Sequence, residues 1–268
     1  MAHTAQDDDP TDLSGKAFLA AEVAALYVHR PPYPPDLFKC IADQAPATRR
    51  LLDLGAGEGK VARALTGEFD DVVAVDPSSH MIALGKALAN GTAPNITWTC
   101  AKAEDAVLEG QFDVVTFASS IHWMDPEALF SKLRRHLCPE HMIAIITGDE
   151  AYAPTWQAEW LDLLETWVPR ITGRPLGSKE WTSQRRRHLA HLDDVETHSF
   201  VSPPFSQSIE AFILCQHARN TFTRSKLGTH AEAFERDVRA VLQPHANASG
   251  LVTYRVKSEL TLARLRVD

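Results

Sequence analysis

"LLDLGAGEGK", the stretch from Leu51 to Lys60, carries the strongest structural signal in this chain. An apolar run stops at three glycines in alternate positions, and acidic residues stand before and among the glycines, at Asp53 and Glu58. Continuous apolar residues predict a buried strand, and alternate glycines permit the tight backbone turn through which a strand enters a helix. The stretch therefore predicts a strand, a loop and a helix in immediate succession.

Short apolar runs alternate with helical patterns on both sides of this stretch. Continuous Val, Ile and Leu predict buried strands, and the segments between them have mostly helical spacing. The order predicts an α/β fold, with a doubly wound and mostly parallel seven-stranded sheet. Its first five strands are expected at "RLLDL", "DVVAV", "ITWTC", "FDVVTFA" and "MIAIIT".

The pattern changes after Gly148. The segment "PTWQAEWLDLLETWV" predicts an amphipathic helix with Trp156, Trp160 and Trp167 on one stripe, which we interpret as core rather than as a ligand site. An extended run, "LVTYRVKSELTLARL", comes later. This order predicts a helical insertion, or lid, between the fifth and sixth strands and an antiparallel last pair of strands.

Composition excludes several classes of partner. The chain has 268 residues and a net charge of −8, which disfavours binding to nucleic acid or to an anionic membrane. Its four cysteines form no C-x-x-C pair, so we expect no metal site and a reducing, cytoplasmic location. No apolar run approaches the ~20 residues that span a bilayer, and we expect no membrane segment.

The spacing of the glycines distinguishes two ligand classes. Dinucleotide sites read G-x-G-x-x-G, whereas this loop reads G-x-G-x-G from Gly55 to Gly59. Within it, Gly55, Ala56 and Gly57 are the residues expected to contact the cofactor. The carboxylates of Asp53 and Glu58 would lie beside a doubly negative pyrophosphate, which is an unfavourable pairing. S-adenosylmethionine has no phosphate and carries an ammonium and a sulfonium, so Asp53 could attract its amino group directly or through water. The loop therefore favours this sulfonium cofactor.

Two later strand ends add groups that suit a nucleoside. Asp76 closes the second strand, 21 residues after Gly55, where a carboxylate can accept hydrogen bonds from both ribose hydroxyls. Either cofactor class needs such an acid. After the third strand, the backbone of Ala103 and the side chain of Glu104 are expected near the adenine edge. The alternative for this turn is a solvated, charged loop.

Four pieces of the chain, in order, resemble class I methyltransferases that use S-adenosylmethionine. The pieces cover most of residues 20–147, and the small-molecule group of the trans-aconitate and ubiquinone-pathway enzymes (methyltransferase type 11) is the most similar. The resemblance implies a Rossmann-like fold and S-adenosylmethionine as cofactor. The pieces are "YVHRPPYP", "LLDLGAGEGKVARAL", "VVAVDPSSHMIALGKAL" and "FDVVTFASSIHWMDPEALFSKLRRHLCP".

The resemblance assigns further residues to the cofactor. It implies that Tyr27 and Arg30 cover the methionine end, with the Arg30 guanidinium on the carboxylate. It also brings Pro77, Met81 and Ser119 into the cofactor-binding set. The alternatives are that Tyr27 packs inside a helix and that Arg30 is a surface charge.

His122, in "SSIHWMD" after the fourth strand, is the best candidate for a catalytic base. A hydroxyl or a weakly acidic carbon as acceptor needs a base, whereas a carboxylate does not. Tyr27 is the second catalytic candidate, and His122 is also included among the residues that contact the cofactor. The alternative is that His122 packs locally around Ser119 and Ser120.

Three regions are expected along the chain. Residues 1–13 are polar and acidic and should be disordered. Residues 14–148 should form the cofactor-binding α/β core with an N-terminal helical cap, in which one helix begins at Ser14 and ends before "RPPYPP". Residues 149–268 should supply the helical insertion and the closing strands of the same sheet, on the substrate side.

Four functions compete. The leading one transfers a methyl group from S-adenosylmethionine to an oxygen, nitrogen or carbon of a small molecule. The second cyclises or cleaves the cofactor without an external acceptor. A nicotinamide oxidoreductase and a non-catalytic cofactor-binding module are the others. The sequence predicts no nucleic-acid or membrane partner, and it specifies neither the acceptor nor the oligomeric state.

Overall fold

The computed structural model of the chain describes residues 15–178 and 186–266. The tail predicted for residues 1–13 and the predicted helix cap Ser14 lie outside the described residues. The rest forms two compact units. Described residues of 31–152, 186–205 and 255–266 form one, called here the α/β unit. Described residues of 15–30, 153–178 and 206–254 form the other, the helical unit.

Eight strands of the described part of the chain form one mixed sheet. Along the main path the order is β3-β2-β1-β4-β5-β8-β6, and the short β7 pairs with β8 outside this path. Strands β1 to β5 are parallel, whereas β8 is antiparallel to β5 and to β6. The strands are β1 (Arg50–Leu54), β2 (Asp71–Asp76), β3 (Ile96–Cys100), β4 (Phe112–Ala118), β5 (Leu137–Tyr152), β6 (Leu192–Val201), β7 (Phe205–Ser208) and β8 (Leu251–Leu265).

The central strands β1 and β4 are buried on both faces, as their continuous apolar runs predict. Adjacent residues Leu51 and Leu52 in β1 are both fully buried and pack into different hydrophobic clusters, and Val114 and Val115 in β4 do the same. Successive side chains of a strand point to opposite faces, so each run supplies two cores. The prediction of a doubly wound, mostly parallel sheet is confirmed, with β7 as an additional short strand.

The strand order places a ligand crevice. The connection after β1 leads to β2 on one side, and the chain later returns to β4 on the other side of β1. In open α/β sheets the crevice outside the carboxyl ends of the strands, at such a reversal, is where ligands bind. The loops that follow β1 and β4 meet there.

Strand β5 is longer than its apolar run predicts. The apolar run ends at Thr147, but pairing with β8 continues after a register shift between Thr147 and Glu150. Gly148 lies at the shift with φ of +85°, and a Cβ on it would lie 2.6 Å from the carbonyl oxygen of Lys257. A glycine bulge therefore carries the strand on.

Helices cover the sheet and form the helical unit. The predicted single N-terminal helix is wrong, because Ala20 is extended with ψ of 134° and separates a 3-10 turn, Lys16–Leu19, from α1. No helix among the described residues is long and apolar enough to cross a membrane. The helices are α1 (Ala21–Leu26), α2 (Pro35–Gln44), α3 (Lys60–Ala64), α4 (Ser79–Ala87), α5 (Pro126–Leu133), α6 (Gln157–Thr172), α7 (Ile209–His217), α8 (Arg224–Leu227) and α9 (Ala231–Leu242).

The tryptophan stripe belongs to the core of the helical unit. Trp156 and Trp167 are almost fully buried. The Trp156 ring meets Phe212 and Tyr254 edge to face, with ring centroids 5.3 and 6.0 Å away. Such edge contacts are typical of packed aromatic cores. The predicted helical insertion between the fifth and sixth strands is confirmed as α6, and its stripe is core rather than ligand site.

Candidate active site

The glycine loop turns tightly over the end of β2. The N–H groups of Gly55 and Ala56 both donate to the carbonyl oxygen of Val75, at 2.9 and 3.0 Å. Gly55 has φ of +67°, and a Cβ on it would lie 2.5 Å from Cβ of Ser120. Gly57 also has positive φ, at +58°. Only glycine fits at Gly55, because the backbone and the neighbouring side chain both exclude a Cβ.

Asp53 is fully buried below the loop. One carboxylate oxygen accepts from the Thr116 hydroxyl at 2.8 Å and the other from the Ala62 N–H at 3.1 Å. Burial raises the pKa of Asp53 to about 7, against the lowering effect of these two hydrogen bonds. Asp53 thus joins β1, β4 and α3. Its predicted effect on a ligand amino group stays a prediction, and its lack of exposed surface favours an indirect effect.

Glu58 has a cationic neighbour that the sequence analysis did not consider. Its buried carboxylate lies 3.8 Å from Nζ of Lys60, and Lys60 donates to the carbonyl oxygen of Pro31 at 3.0 Å. Arg63 donates to the main-chain oxygen of Glu58 at 2.8 Å. The negative charge expected of this loop is therefore partly offset by Lys60. The position of Lys60, two residues after Glu58, was the sequence signal that could have predicted this ion pair.

Asp76 presents a fixed carboxylate beside the loop. One oxygen accepts from the Gly57 N–H and the other from the Ser78 N–H, both at 2.8 Å. Each oxygen keeps a second lone pair, so the group can still accept two hydroxyl donors. Burial raises the pKa of Asp76. The next residue, Pro77, is exposed, whereas Met81 is buried in the first turn of α4.

The turn after β3 is held by helix α5. Ala103 is buried and Glu104 is half-buried. One Glu104 carboxylate oxygen accepts from the Asp125 N–H at 2.8 Å. The Lys132 ammonium donates to the carbonyl oxygens of Ala103, at 3.4 Å, and Glu104, at 2.9 Å. The main chain of this turn and the Glu104 side chain are therefore tied to α5, whereas Asp105 is exposed. Lys132 is a contact that the helical pattern of α5 did not reveal.

The segment after β4 is strained and tied to two strands. Ser119 has φ of +52°, a region that non-glycine residues seldom occupy. Its N–H donates to the carbonyl oxygen of Ile146 at 2.8 Å. The hydroxyl of Ser120 donates to the carbonyl oxygen of Leu54 at 2.7 Å. Backbone strain of this kind is concentrated at functional sites, and here it lies directly beside the glycine loop.

His122 and Trp123 follow in a 3-10 turn, Ile121–Trp123. Both side chains are half-buried, and their ring centroids lie 4.3 Å apart with planes tilted by 50°. The imidazole is thus accessible at the end of β4, at the same edge of the sheet as the glycine loop. The structure keeps both interpretations of His122 open, as base and as packing residue.

Tyr27 and Arg30 lie in the helical unit. The Arg30 guanidinium carbon lies 5.3 Å from the centroid of the Tyr27 ring, which also meets the Phe18 ring edge to face at 6.0 Å. Arg30 donates to the carbonyl oxygen of Ala218 at 3.2 Å. The structure therefore brings the predicted pair together. Their contact with the cofactor stays a prediction.

The α/β unit gathers the other predicted site residues at one place. Parallel strands end at the same edge, so the segments after β1, β2, β3 and β4 share the carboxyl edge of the sheet. Within residues 15–178 and 186–266, no cluster of His, Cys, Asp and Glu could hold a metal ion. The residues at this edge are Gly55, Ala56, Gly57, Asp76, Pro77, Ala103, Glu104, Ser119 and His122.

Comparisons with known proteins agree with this arrangement. Residues 51–140 match a family model described as a methyltransferase domain. The chain is 27% identical to an uncharacterized methyltransferase of Mycobacterium tuberculosis over 233 residues, 85% of this chain and 88% of the relative. It is 29% identical to the tRNA 5-carboxymethoxyuridine methyltransferase of Escherichia coli over 116 residues, 41% of this chain and 44% of that protein.

A solved structure shares the fold. The putative type II methyltransferase of Anaeromyxobacter dehalogenans superposes with a TM-score of 0.67 at 24% identity, over 87% of this chain and 96% of that one. The matched residues 51–140 contain the glycine loop, Asp76 and the segments after β3 and β4. Together with the sheet order and the geometry of these loops, the matches support a class I S-adenosylmethionine-dependent methyltransferase.

Proposed function

We propose that this methyltransferase transfers the methyl group of S-adenosylmethionine to an oxygen, nitrogen or carbon atom of a small molecule. The observation that carries the proposal is the carboxylate of Asp76. It lies at the end of β2, held by the Gly57 and Ser78 N–H groups at 2.8 Å, with lone pairs left for a ribose diol. This is the one acid of the site whose geometry suits a nucleoside directly.

The other cofactor contacts are assigned around Asp76. We propose that the backbone of Gly55, Ala56 and Gly57 lies against the methionine part of the cofactor. Ala103 and Glu104 contact the edge of the adenine ring, and Pro77 and Met81 pack against the apolar faces of that ring. Tyr27 and Arg30 are proposed for the methionine end from the family resemblance alone, and Ser119 and His122 complete the set.

The electrostatics still favour a cation over a pyrophosphate. Lys60 offsets Glu58, but among the described residues the carboxylates of Asp53 and Asp76, both close to the loop, form no ion pair. A pyrophosphate there would raise the pKa of both acids further, whereas an ammonium or a sulfonium would lower it. The two acids therefore attract the positively charged groups of S-adenosylmethionine, whereas they would repel the pyrophosphate of a dinucleotide.

Methyl transfer needs little more than alignment. A lone pair of the acceptor forms a bond to the methyl carbon while the carbon–sulfur bond breaks, and its electron pair stays on sulfur to give S-adenosylhomocysteine. The reacting atoms must approach to ~3–3.5 Å in line. With a hydroxyl or a carbon acid as acceptor, the released proton goes to the His122 imidazole. With a carboxylate acceptor, no base takes part.

A small molecule is preferred over RNA on charge. The chain carries −8 overall, whereas RNA binding relies on clustered Lys and Arg that neutralise phosphates. The Escherichia coli relative is named for a tRNA substrate, but it aligns with only 41% of this chain. RNA is therefore an outcome of the test rather than part of the proposal.

The test measures binding first and turnover second. Calorimetry with S-adenosylmethionine and S-adenosylhomocysteine should show binding to the native protein, and NADH should show none. Labelled cofactor is then incubated with a small-molecule panel of hydroxyls, amines, carboxylates and carbon acids, with bulk tRNA, or without acceptor. Label in a small molecule supports the proposal. Label in tRNA only, or cofactor breakdown without acceptor, would contradict it and favour the RNA or the cofactor-cleaving alternative.

A further inference from the structure

Lys132, in the last turn of α5, has its ammonium group among main-chain carbonyl oxygens of one turn. Nζ donates to the oxygens of Ala103 at 3.4 Å and Glu104 at 2.9 Å, and it also contacts the oxygen of Ala106. Burial lowers the pKa of Lys132, and the carboxylates of Asp105 and Glu104 oppose this shift. An ammonium ion has three N–H donors, so the turn after β3 satisfies all of them.

The beginning of the same helix holds the turn from its other side. A carboxylate oxygen of Glu104 accepts from the Asp125 N–H at 2.8 Å. Asp125 in turn caps α5, because its own carboxylate accepts from the Ala128 N–H at 3.1 Å. Two contacts, seven residues apart along α5, thus fix one short turn. The arrangement specifies the direction of each peptide group in the turn.

The contact between Lys132 and the Ala103 carbonyl also fixes the direction of the Glu104 N–H, because both groups belong to one peptide. In a planar trans peptide the carbonyl and the N–H point in opposite directions. Because the Ala103 carbonyl faces Lys132, the Glu104 N–H points away from Lys132. Such an N–H can donate to the adenine ring nitrogen beside the exocyclic amine. In hypoxanthine that nitrogen carries a hydrogen of its own and would oppose the N–H.

We propose that Lys132 is a positioning residue that sets the selectivity of the cofactor site for adenine over hypoxanthine. It acts by orienting the main chain at Ala103 and Glu104 and does not touch the cofactor. The inference rests on the proposed function, which assigns the adenine edge to these two residues. It goes beyond that function because it assigns the selectivity to a side chain on a different element.

The test compares two ligands across four proteins. Calorimetry measures the dissociation constants of S-adenosylhomocysteine and of S-inosylhomocysteine, which has hypoxanthine in place of adenine. The proteins are the native chain, Lys132→Met, Lys132→Arg and Lys86→Met. Lys86 is an exposed lysine in the last turn of α4, which makes it a matched control for loss of a helical lysine.

The native protein should bind the adenine ligand at least about tenfold more tightly than the hypoxanthine ligand. In Lys132→Met this ratio should fall to within about threefold of unity, because the peptide groups lose their fixed direction. Lys132→Arg, which keeps a cation with several donors, and Lys86→Met should retain most of the ratio. In turnover assays Lys132→Met should raise the KM for S-adenosylmethionine and leave kcat unchanged.

Other results overturn the inference in distinguishable ways. If Lys132→Met lowers Tm but keeps the native ratio, Lys132 is a structural cap only. If the native protein binds both ligands equally, the turn does not read the base. If the native protein binds no S-adenosylhomocysteine at all, the proposed function itself fails.

Two further measurements test the inference if Lys132→Met does not fold. Lys132→Gln keeps two N–H donors and is titrated in the same way. The native protein can also be followed by hydrogen exchange, where the adenine ligand, but not the hypoxanthine ligand, should slow exchange at the Glu104 amide. Equal protection by both ligands contradicts the inference.

Discussion

One buried acid in each unit has surroundings opposite to those of the other, Asp53 in the α/β unit and Glu235 in the helical unit. In the α/β unit, Asp53 is fully buried against neutral donors, the Thr116 hydroxyl and the Ala62 N–H. In the helical unit, Glu235 is buried beside Nε2 of His217 at 3.1 Å and the Arg224 guanidinium at 2.5 Å. The first acid is left able to change its charge near neutral pH, whereas the second lies beside an imidazole and a guanidinium.

The histidine in the helical unit completes this contrast. Nδ1 of His217 lies 2.8 Å from the carbonyl oxygen of Phe222, while Nε2 faces Glu235. A carbonyl oxygen only accepts, so Nδ1 carries a proton, and the Nε2 contact needs a second proton on His217 or on Glu235. The helical unit therefore uses its buried polar groups for its own packing, while the α/β unit buries a titratable acid directly below its glycine loop.

Removing the charge of Glu235 should have the largest effect on the free energy of unfolding. Glu235→Gln leaves the buried His217 without the carboxylate that it faces and removes the partner of the exposed Arg224. Breaking the buried pair costs about 3–5 kcal/mol. The free energy of unfolding from denaturant titration measures it. Glu210→Gln is the matched control, because Glu210 pairs with Arg239 at the surface, where such pairs contribute about 0–1 kcal/mol. Equal losses in both variants would contradict the assignment of a buried network.

The next largest effect is expected from a glycine-to-alanine substitution, which can be compared between the two units. Gly55 and Gly173 have nearly equal φ, +67° and +68°, but a Cβ at Gly55 meets Ser120 at 2.5 Å, whereas Gly173 faces open space. Gly173→Ala should lose about 1 kcal/mol of stability from backbone strain. Gly55→Ala adds overpacking and should lose about 2–4 kcal/mol, together with cofactor binding.

Denaturant unfolding and titration with S-adenosylhomocysteine measure both glycine variants. The account is contradicted if Gly55→Ala binds the cofactor product as tightly as Gly173→Ala does.

The smallest stability effect concerns the pH dependence that Asp53 contributes. Its folded pKa of about 7 lies above the ordinary value of 3.8, so the folded state holds the proton more tightly. The contribution is complete below about pH 4 and is lost as the pH rises through about 7. The unfolding free energy of Asp53→Asn minus that of the native protein should therefore increase by about 2–3 kcal/mol between pH 5 and pH 8.

Urea titrations at pH 5, 6, 7 and 8 measure this difference. A difference that stays constant across the four pH values would mean that Asp53 is ionised throughout and would remove the contrast with Glu235.

The parts of the fold that sequence could predict are those with a local pattern. Strands β3 and β4 have the predicted bounds because β-branched and aromatic runs bounded by polar turns specify a strand, although β4 is buried and the edge strand β3 is partly exposed. The tight turn at Gly55 and Gly57 was predictable because it needs glycine, and the position of Asp76 at the end of β2 was predictable from the strand pattern. The extension of β5 past Gly148 was not, because a bulge depends on the partner strand.

Contacts between distant residues explain most of what was missed in the site. Lys132 lies 29 residues after Ala103, and neither its helical position nor its neighbours distinguish it from a surface lysine. Lys60 was visible beside Glu58, but its contact with Pro31 depends on tertiary packing. The expectation that the loop is simply acidic was therefore incomplete, since charge in a folded site depends on partners that the chain brings from elsewhere.

Titration of Asp76→Asn with S-adenosylhomocysteine, beside the native protein, tests the central claim most directly. The amide keeps the size of the carboxylate but loses one acceptor and the charge. The account predicts that the native protein binds S-adenosylhomocysteine and not NADH, and that Asp76→Asn binds it about 10–100-fold more weakly. Because the amide can accept from only one of the Gly57 and Ser78 N–H groups, Asp76→Asn should also have a lower Tm, and its binding is therefore measured at a temperature where it is folded. Equal binding by the two proteins, or binding of NADH in its place, would contradict it.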